Sequence, residues 1–323
     1  MTHSTPLLPA PSVPPQPVPR ALQVPPGIPF HRLARIRPRY RWWLTLLTGV
    51  VGAALFFGLS MLVTFVVLLV SQVTGSAAGT ASMPTPAFDV ENPWGFALLA
   101  AGLIILIPAL ALASRWVQGR GVGYLLSVTG RIRWRWLARS LLIAFAVFTP
   151  FFLLPIALSA LAGVPVDFRP GHPGVPLMLL LVLLLVPLQS AAEEYVFRGY
   201  LMQLVGGWFA RPIFAIVLPA PLFMLGHMYD VWGSLSVGVM AVVAGWLCWR
   251  TGGLEAAIAL HVANNVLVFG LGTFGLAEVN MTEGSPIGLA IQTGGLVVFA
   301  AIIARASRRV DRYTVSASAS KMV

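Results

Sequence analysis

The feature that most limits what this chain can fold into is a recurrence of long apolar runs. "WWLTLLTGVVGAALFFGLSMLVTFVVLLV" and "FALLAAGLIILIPALALAS" are two of them. A helix rises 1.5 Å per residue, so about 20 such residues cross the roughly 30 Å hydrocarbon core of a bilayer. Charged residues make up only 10% of the 323 and hydrophobic ones 58%, against about 25% charged in a soluble domain. The sequence therefore reads as all-α, a polytopic membrane protein. A single cysteine, Cys248, excludes an internal disulfide and any cysteine-rich metal cluster. Between Trp246 and Trp249 it reads as a packed side chain.

Eight spanning segments are expected, at about 42–73, 94–114, 137–165, 174–204, 212–229, 232–249, 254–274 and 287–304. The third, fourth and fifth contain Pro150, Pro155, Pro187, Pro219 and Pro221, which membrane helices tolerate when neighbours satisfy the freed carbonyls. Residues 1–29 hold ten prolines and almost no charge. Residues 1–41 are accordingly expected to form a disordered, proline-rich and basic tail. Residues 42–139 supply two helices and a basic loop, which is expected to hold an amphipathic piece at the surface. Residues 140–275 form the core that bears the motifs, and residues 276–323 a last helix and a basic tail. No internal repeat is visible.

The net charge is +11, and its distribution argues against nucleic acid as a partner. Nineteen of the 21 Lys and Arg residues fall in segments on one side of the eight-helix arrangement, against Arg169 alone on the other. By the positive-inside rule both termini are expected in the cytoplasm of a multi-pass cell-membrane protein, with anionic lipid as the surface the arginines meet. "GSAAGTASMPTPAFDVENP" is then external.

Against this background "AAEEYVFRGY", residues 191–200, stands out. A charge at mid-bilayer costs about 2.5 to 3.5 kcal/mol, so Glu193 and Glu194 inside an apolar helix mark a functional site by default. Glu194 and Arg198 are one turn apart and share a face, which makes an ion pair available. Glu193 lies about 100° round the helix and needs a polar group from elsewhere. "FMLGH" supplies His227 one turn after Phe223, and "HVANN" places His261 and Asn265 on one face of the seventh segment. Glu193 and His227 would act together as a base for water. His261 and Asn265 would donate to an oxyanion, a role worth about 2.7 to 4 kcal/mol per donor in other enzymes.

EExxxR as "EEYVFR", FxxxH as "FMLGH" and HxxxN as "HVANN", in this order on successive apolar helices, resemble the CAAX protease and bacteriocin-processing (CPBP) family. Its eukaryotic relatives are the Ras-converting, type II CAAX prenyl endopeptidases. The resemblance covers roughly residues 140–275. It implies an intramembrane endopeptidase, a glutamic protease, in which Glu193 and His227 activate water. His261 and Asn265 would hold the oxyanion, while Glu194 and Arg198 shape the site, with no cofactor. The implied partner is a peptide or membrane-protein substrate.

Two other readings use the same residues. Glu193, His227 and His261 are a donor set that suits zinc, although HExxH is absent. The cluster could also serve a non-catalytic transporter or immunity protein by binding a proton or a partner, but no pair of broken helices repeats in two halves. The substrate, and whether it is prenylated, is not written in the residues.

Overall fold

The computed structural model describes residues 25–36, 40–74, 88–119 and 123–314. Residues 1–24, most of the expected external loop after the first helix, Arg37, Arg39 and Arg120, and the end of the basic tail lie outside the described residues.

The described residues form helices joined by loops, with no strand among them. The helices are α1 (Trp42–Thr74), α2 (Pro93–Ile104), α3 (Leu106–Gln118), α4 (Gly123–Leu126), α5 (Trp134–Leu161), α6 (Val175–Glu194), α7 (Met202–Trp208), α8 (Pro212–Val217), α9 (Ala220–Leu225), α10 (Val231–Thr251), α11 (Glu255–Thr273) and α12 (Pro286–Ala306). A π-helix, Tyr195–Leu201, joins α6 to α7, so Val175–Trp208 is one continuous rod. Pro108 has no N–H for the carbonyl of Ile104, and α2 gives way to α3 at that point.

Seven of the rods are long and apolar enough to cross a membrane, which makes this a multi-pass membrane protein. The fifth expected span is different. Pro219 and Pro221 split it into α8 and α9, and together Pro212–Leu225 covers 14 residues, or about 21 Å. That is shorter than a bilayer core, and the non-helical residues 226–230 complete the passage.

Contacts between connecting segments define two ends of the bundle. At one end the amide of Gly27 donates to Thr314 O (2.9 Å), that of Val128 to Gly252 O (2.8 Å) and that of Leu254 to Leu126 O (2.9 Å). At the other, Asn280 clamps the backbone of Phe88, Arg169 N bonds Phe274 O (2.9 Å) and Asp230 N bonds Thr282 O (3.0 Å). The described residues thus make eight passages, seven by long rods and one by α8–α9 with its loop. Both described chain ends sit at the first, arginine-rich end.

Helix α11 is the axis. Every residue from Leu254 to Ala263 is buried, and its alanines at 256, 257, 259 and 263 let α5, α6 and α10 approach closely. At the periphery α1 lies on α3 through Gly52, against Leu110 and Ala113, and turns Phe57, Met61, Phe65 and Leu69 outward as a lipid-facing surface demands.

Two expectations need correction. The tail is not disordered from residue 25 onward: Phe30–Ile36 is a 3-10 helix with Phe30 and Leu33 fully buried against α7. Enough apolar side chains follow the prolines to offset the cost of ordering this strap. The basic loop is likewise no mere surface piece. Ser127 is fully buried, and Arg133 forms a two-pronged ion pair with Glu255, its Nε 2.8 Å from Oε1 and Nη2 2.6 Å from Oε2. Glu255 has no solvent exposure and lies in the first turn of α11.

Candidate active site

The end of α6 carries a polar stripe in an otherwise apolar rod. Gln189, Ser190, Glu193 and Glu194 are all buried there. The π-helix starts immediately after Glu194 and contains Arg198. Single-turn π segments are rare and concentrate at functional sites. Here it delivers Nη1 of Arg198 to 2.7 Å from Oε1 of Glu194, a pair shielded almost completely from solvent. The guanidinium also rests over the ring of Phe223, 4.3 Å from its centroid, which gives the cation an aromatic face in place of water.

His261 enters this pair from α11 at its nearest approach. Its Nδ1 lies 2.8 Å from Oε1 of Glu194, and its Nε2 lies 3.4 Å from Oε2 of Glu193. Glu194, facing a guanidinium that does not give up its proton, can only accept, so the Nδ1–H donates to it. The other nitrogen then faces a second carboxylate, that of Glu193.

His227 sits in the loop after α9, half-buried. Its Nδ1 donates to the carbonyl of Phe223 at 2.8 Å, which leaves Nε2 with its lone pair free. Its ring stacks near Phe223 (4.7 Å between centroids) and Tyr229 (5.8 Å). Neighbouring Met228 adopts φ 48°, unusual for a side chain of that size. Asn265, one turn beyond His261, directs Nδ2 toward Oε1 of Gln189 at 3.4 Å and accepts from Asn264 at 3.0 Å.

All six residues marked in the sequence therefore belong to one neighbourhood, through direct bonds or through Phe223 and Gln189. The pairing differs in one respect. The imidazole within 4.0 Å of Glu193 is His261 and not His227, because α11 passes beside α6 while α9 stops short. Gln189 went unmarked, although it lies one turn before Glu193, and an amide inside "LLLVPLQS" is itself a signal. Glu255 and Arg133 also went unmarked. A glutamate in the first turn of a helix looks ordinary, and nothing local announces a partner 122 residues away. Oε2 of Glu193, Oε2 of Glu194 and Nη2 of Arg198 are buried and have no hydrogen-bond partner among the described residues.

Residues 173–267 match the family described as type II CAAX prenyl endopeptidase Rce1-like. This segment is similar to the Rce1-like domain. It contains all six marked residues and lies within the stretch of residues 140–275 that the resemblance covers. Outside it are the strap, α1 to α5 and α12. An uncharacterized protein of Bacillus subtilis (strain 168), YyaK, is 27% identical over 177 residues, 51% of this chain and 57% of that protein. The match thus spans little more than half of the relative's length. No solved structure matches the chain.

Proposed function

We propose that this protein is an intramembrane endopeptidase of the CPBP type, in which Glu193 and His227 activate a water that attacks a peptide carbonyl. The observation that carries the reading is the buried relay Arg198–Glu194–His261–Glu193, set inside a domain whose family is a protease family. Oε2 of Glu193, unpartnered and facing an imidazole, is placed to take a proton from water. Nε2 of His227 offers a second lone pair for the same water. The oxygen adds to the carbonyl carbon, and Nδ2 of Asn265 donates to the developing oxyanion, which is worth most in a site that excludes bulk water. His261 shares the proton gathered on Glu193, so that it can pass to the departing amine as the C–N bond breaks. Glu194 fixes the His261 tautomer, and Arg198 keeps Glu194 charged.

The zinc reading has less support. Among the described residues no three of His, Cys, Asp and Glu are grouped to hold an ion. Orientation in the cell membrane follows from the arginine distribution, with the end that carries the strap in the cytoplasm.

Terminal-peptide mass spectrometry of membranes with the wild-type protein and with Glu193→Gln tests the activity even while the substrate is unidentified. New N- and C-termini that vanish in the variant support proteolysis. Identical termini, with both proteins present at equal level, would refute it.

A further inference from the structure

We propose that Gln189 is a positioning residue for Asn265: it holds the Asn265 amide so that the donor Nδ2, and not Oδ1, is turned to α6 and the carbonyl attacked there. The proposal rests on the proteolytic reading above, in which Asn265 serves the oxyanion, and adds a residue that none of the three motifs contains.

Helical spacing builds the arrangement. Gln189 and Glu193 are four residues apart on α6, and His261 and Asn265 are four apart on α11, so each pair occupies one face of its helix. The two faces meet in register. Nε2 of His261 lies 3.4 Å from Oε2 of Glu193, and Nδ2 of Asn265 lies 3.4 Å from Oε1 of Gln189. The helices run antiparallel, which is why 193 pairs with 261 while 189 pairs with 265. Two rungs result, an imidazole with a carboxylate and, one turn along, an amide with an amide.

An asparagine amide does not set its own direction. A half-turn of the group exchanges a donor for an acceptor of nearly the same size, and only the donor can serve an oxyanion. Here both ends are specified. Nδ2 of Asn264 donates to Oδ1 of Asn265 at 3.0 Å, and Oε1 of Gln189 accepts from Asn265 Nδ2. Oγ of Ser190 donates to the same Oε1 at 3.4 Å, which marks it as the acceptor end of Gln189. A half-turn of Asn265 alone would set oxygen against oxygen at Gln189 and NH₂ against NH₂ at Asn264. Nδ2 carries two hydrogens, so the one held by Gln189 leaves the second for the substrate.

A plain polar clip between two membrane helices explains less. Such a clip could sit anywhere along the contact of α6 with α11. This amide is buried, shares a face with Glu193 and bonds the one residue of α11 that lies a turn beyond His261.

The test reads the Asn265 amide directly and then its effect on turnover. Gln189→Leu and Gln189→Met both remove the acceptor, suit an apolar helix and are compared with wild type by size exclusion. Selective ¹⁵N-asparagine labelling of the full chain in detergent gives side-chain NH₂ signals from Asn92, Asn264, Asn265 and Asn280, and Asn265→Ala assigns the one of interest. In both Gln189 variants the Asn265 signal should move and exchange its hydrogens faster, while those of Asn92 and Asn280 stay in place. An unmoved Asn265 signal would overturn the proposal. On a peptide carrying a Glu193-dependent cleavage site, Gln189→Leu should lower kcat about tenfold with KM little changed. In an Asn265→Ala background the same substitution should cost less than about twofold, because nothing is left to position. A wild-type kcat in Gln189→Leu, or a full further loss in that background, would also overturn it. Cellular termini unchanged by Glu193→Gln, with the Asn265 signal still dependent on Gln189, would instead count against proteolysis itself while upholding the hold of Gln189 on Asn265.

Discussion

Nδ1 of His261 and Oε1 of Glu194 stand 2.8 Å apart, and this contact decides which nitrogen of the imidazole faces Glu193. A carboxylate there holds the proton on Nδ1. An amide could instead offer its NH₂ and pull the ring into the other tautomer. Glu194→Gln should therefore lower kcat by about 10²-fold or more, in the range seen when acid–base geometry is lost. KM should change little, since Glu194 is buried behind His261. Steady-state kinetics on a substrate found by terminal-peptide analysis checks this split.

Removing Arg198 leaves Glu194 charged, buried and short of its cation. Breaking a buried pair from one side costs about 3 to 5 kcal/mol. Arg198→Ala should accordingly give a lower folded yield in detergent than Glu193→Gln, whose side chain loses only a 3.4 Å approach to His261. Size-exclusion profiles of the two variants, expressed in parallel, measure the difference.

The Arg133–Glu255 pair makes an independent stability prediction. Arg133 also donates Nη1 to the carbonyls of Thr251 (3.0 Å) and Asp311 (2.9 Å), so it joins the α10–α11 turn to the C-terminal segment. Arg133→Ala leaves Glu255 uncompensated and should destabilise by about 3 kcal/mol, while Arg133→Lys should recover only part because an ammonium lacks the two-pronged fit. Thermal unfolding in detergent is the measurement, with the Tm order wild type, Lys, Ala.

Acid should loosen the strap. Burial holds the His31 imidazole below its ordinary 6.5; the bond to Ala210 O pulls the other way and the charge of Arg32 adds to the lowering. The docked ring thus favours its neutral form, and the undocked strap takes up the proton first. Docking is then fully stable above about pH 6.5 and weakens as pH falls below it. Hydrogen exchange of residues 28–36, corrected for intrinsic rates, should show less protection at about pH 5.5 than at about pH 7.5. Equal protection at both would contradict this account of His31.

The outline of the fold was legible because hydrocarbon imposes its own length on a helix. The apolar runs mark all seven long rods to within a few residues at most ends. The fifth passage was overestimated because hydropathy counts residues and does not register that Pro219 and Pro221 end a helix early. The site was legible through spacing: Glu194 with Arg198 and His261 with Asn265 each share a face by helical arithmetic alone. Which imidazole meets Glu193 was not legible, since that depends on how α9 and α11 pack beside α6. The π-helix was also hidden, because a register change of one residue leaves no compositional trace. The strap was hidden by the ten prolines of residues 1–29, which run up to Phe30 and draw attention from it and Leu33.

The central claim is that a metal-free Glu193 with His227 turns over a peptide bond inside the bilayer. It is tested most directly by cleavage in proteoliposomes with purified wild type and Glu193→Gln, each assayed for bound zinc before and after chelation and dialysis. The account predicts that chelated wild type keeps its full rate and that Glu193→Gln falls by about 10²- to 10⁴-fold. Near-stoichiometric zinc whose removal stops cleavage and whose return restores it, or a Glu193→Gln enzyme as fast as wild type, would contradict it.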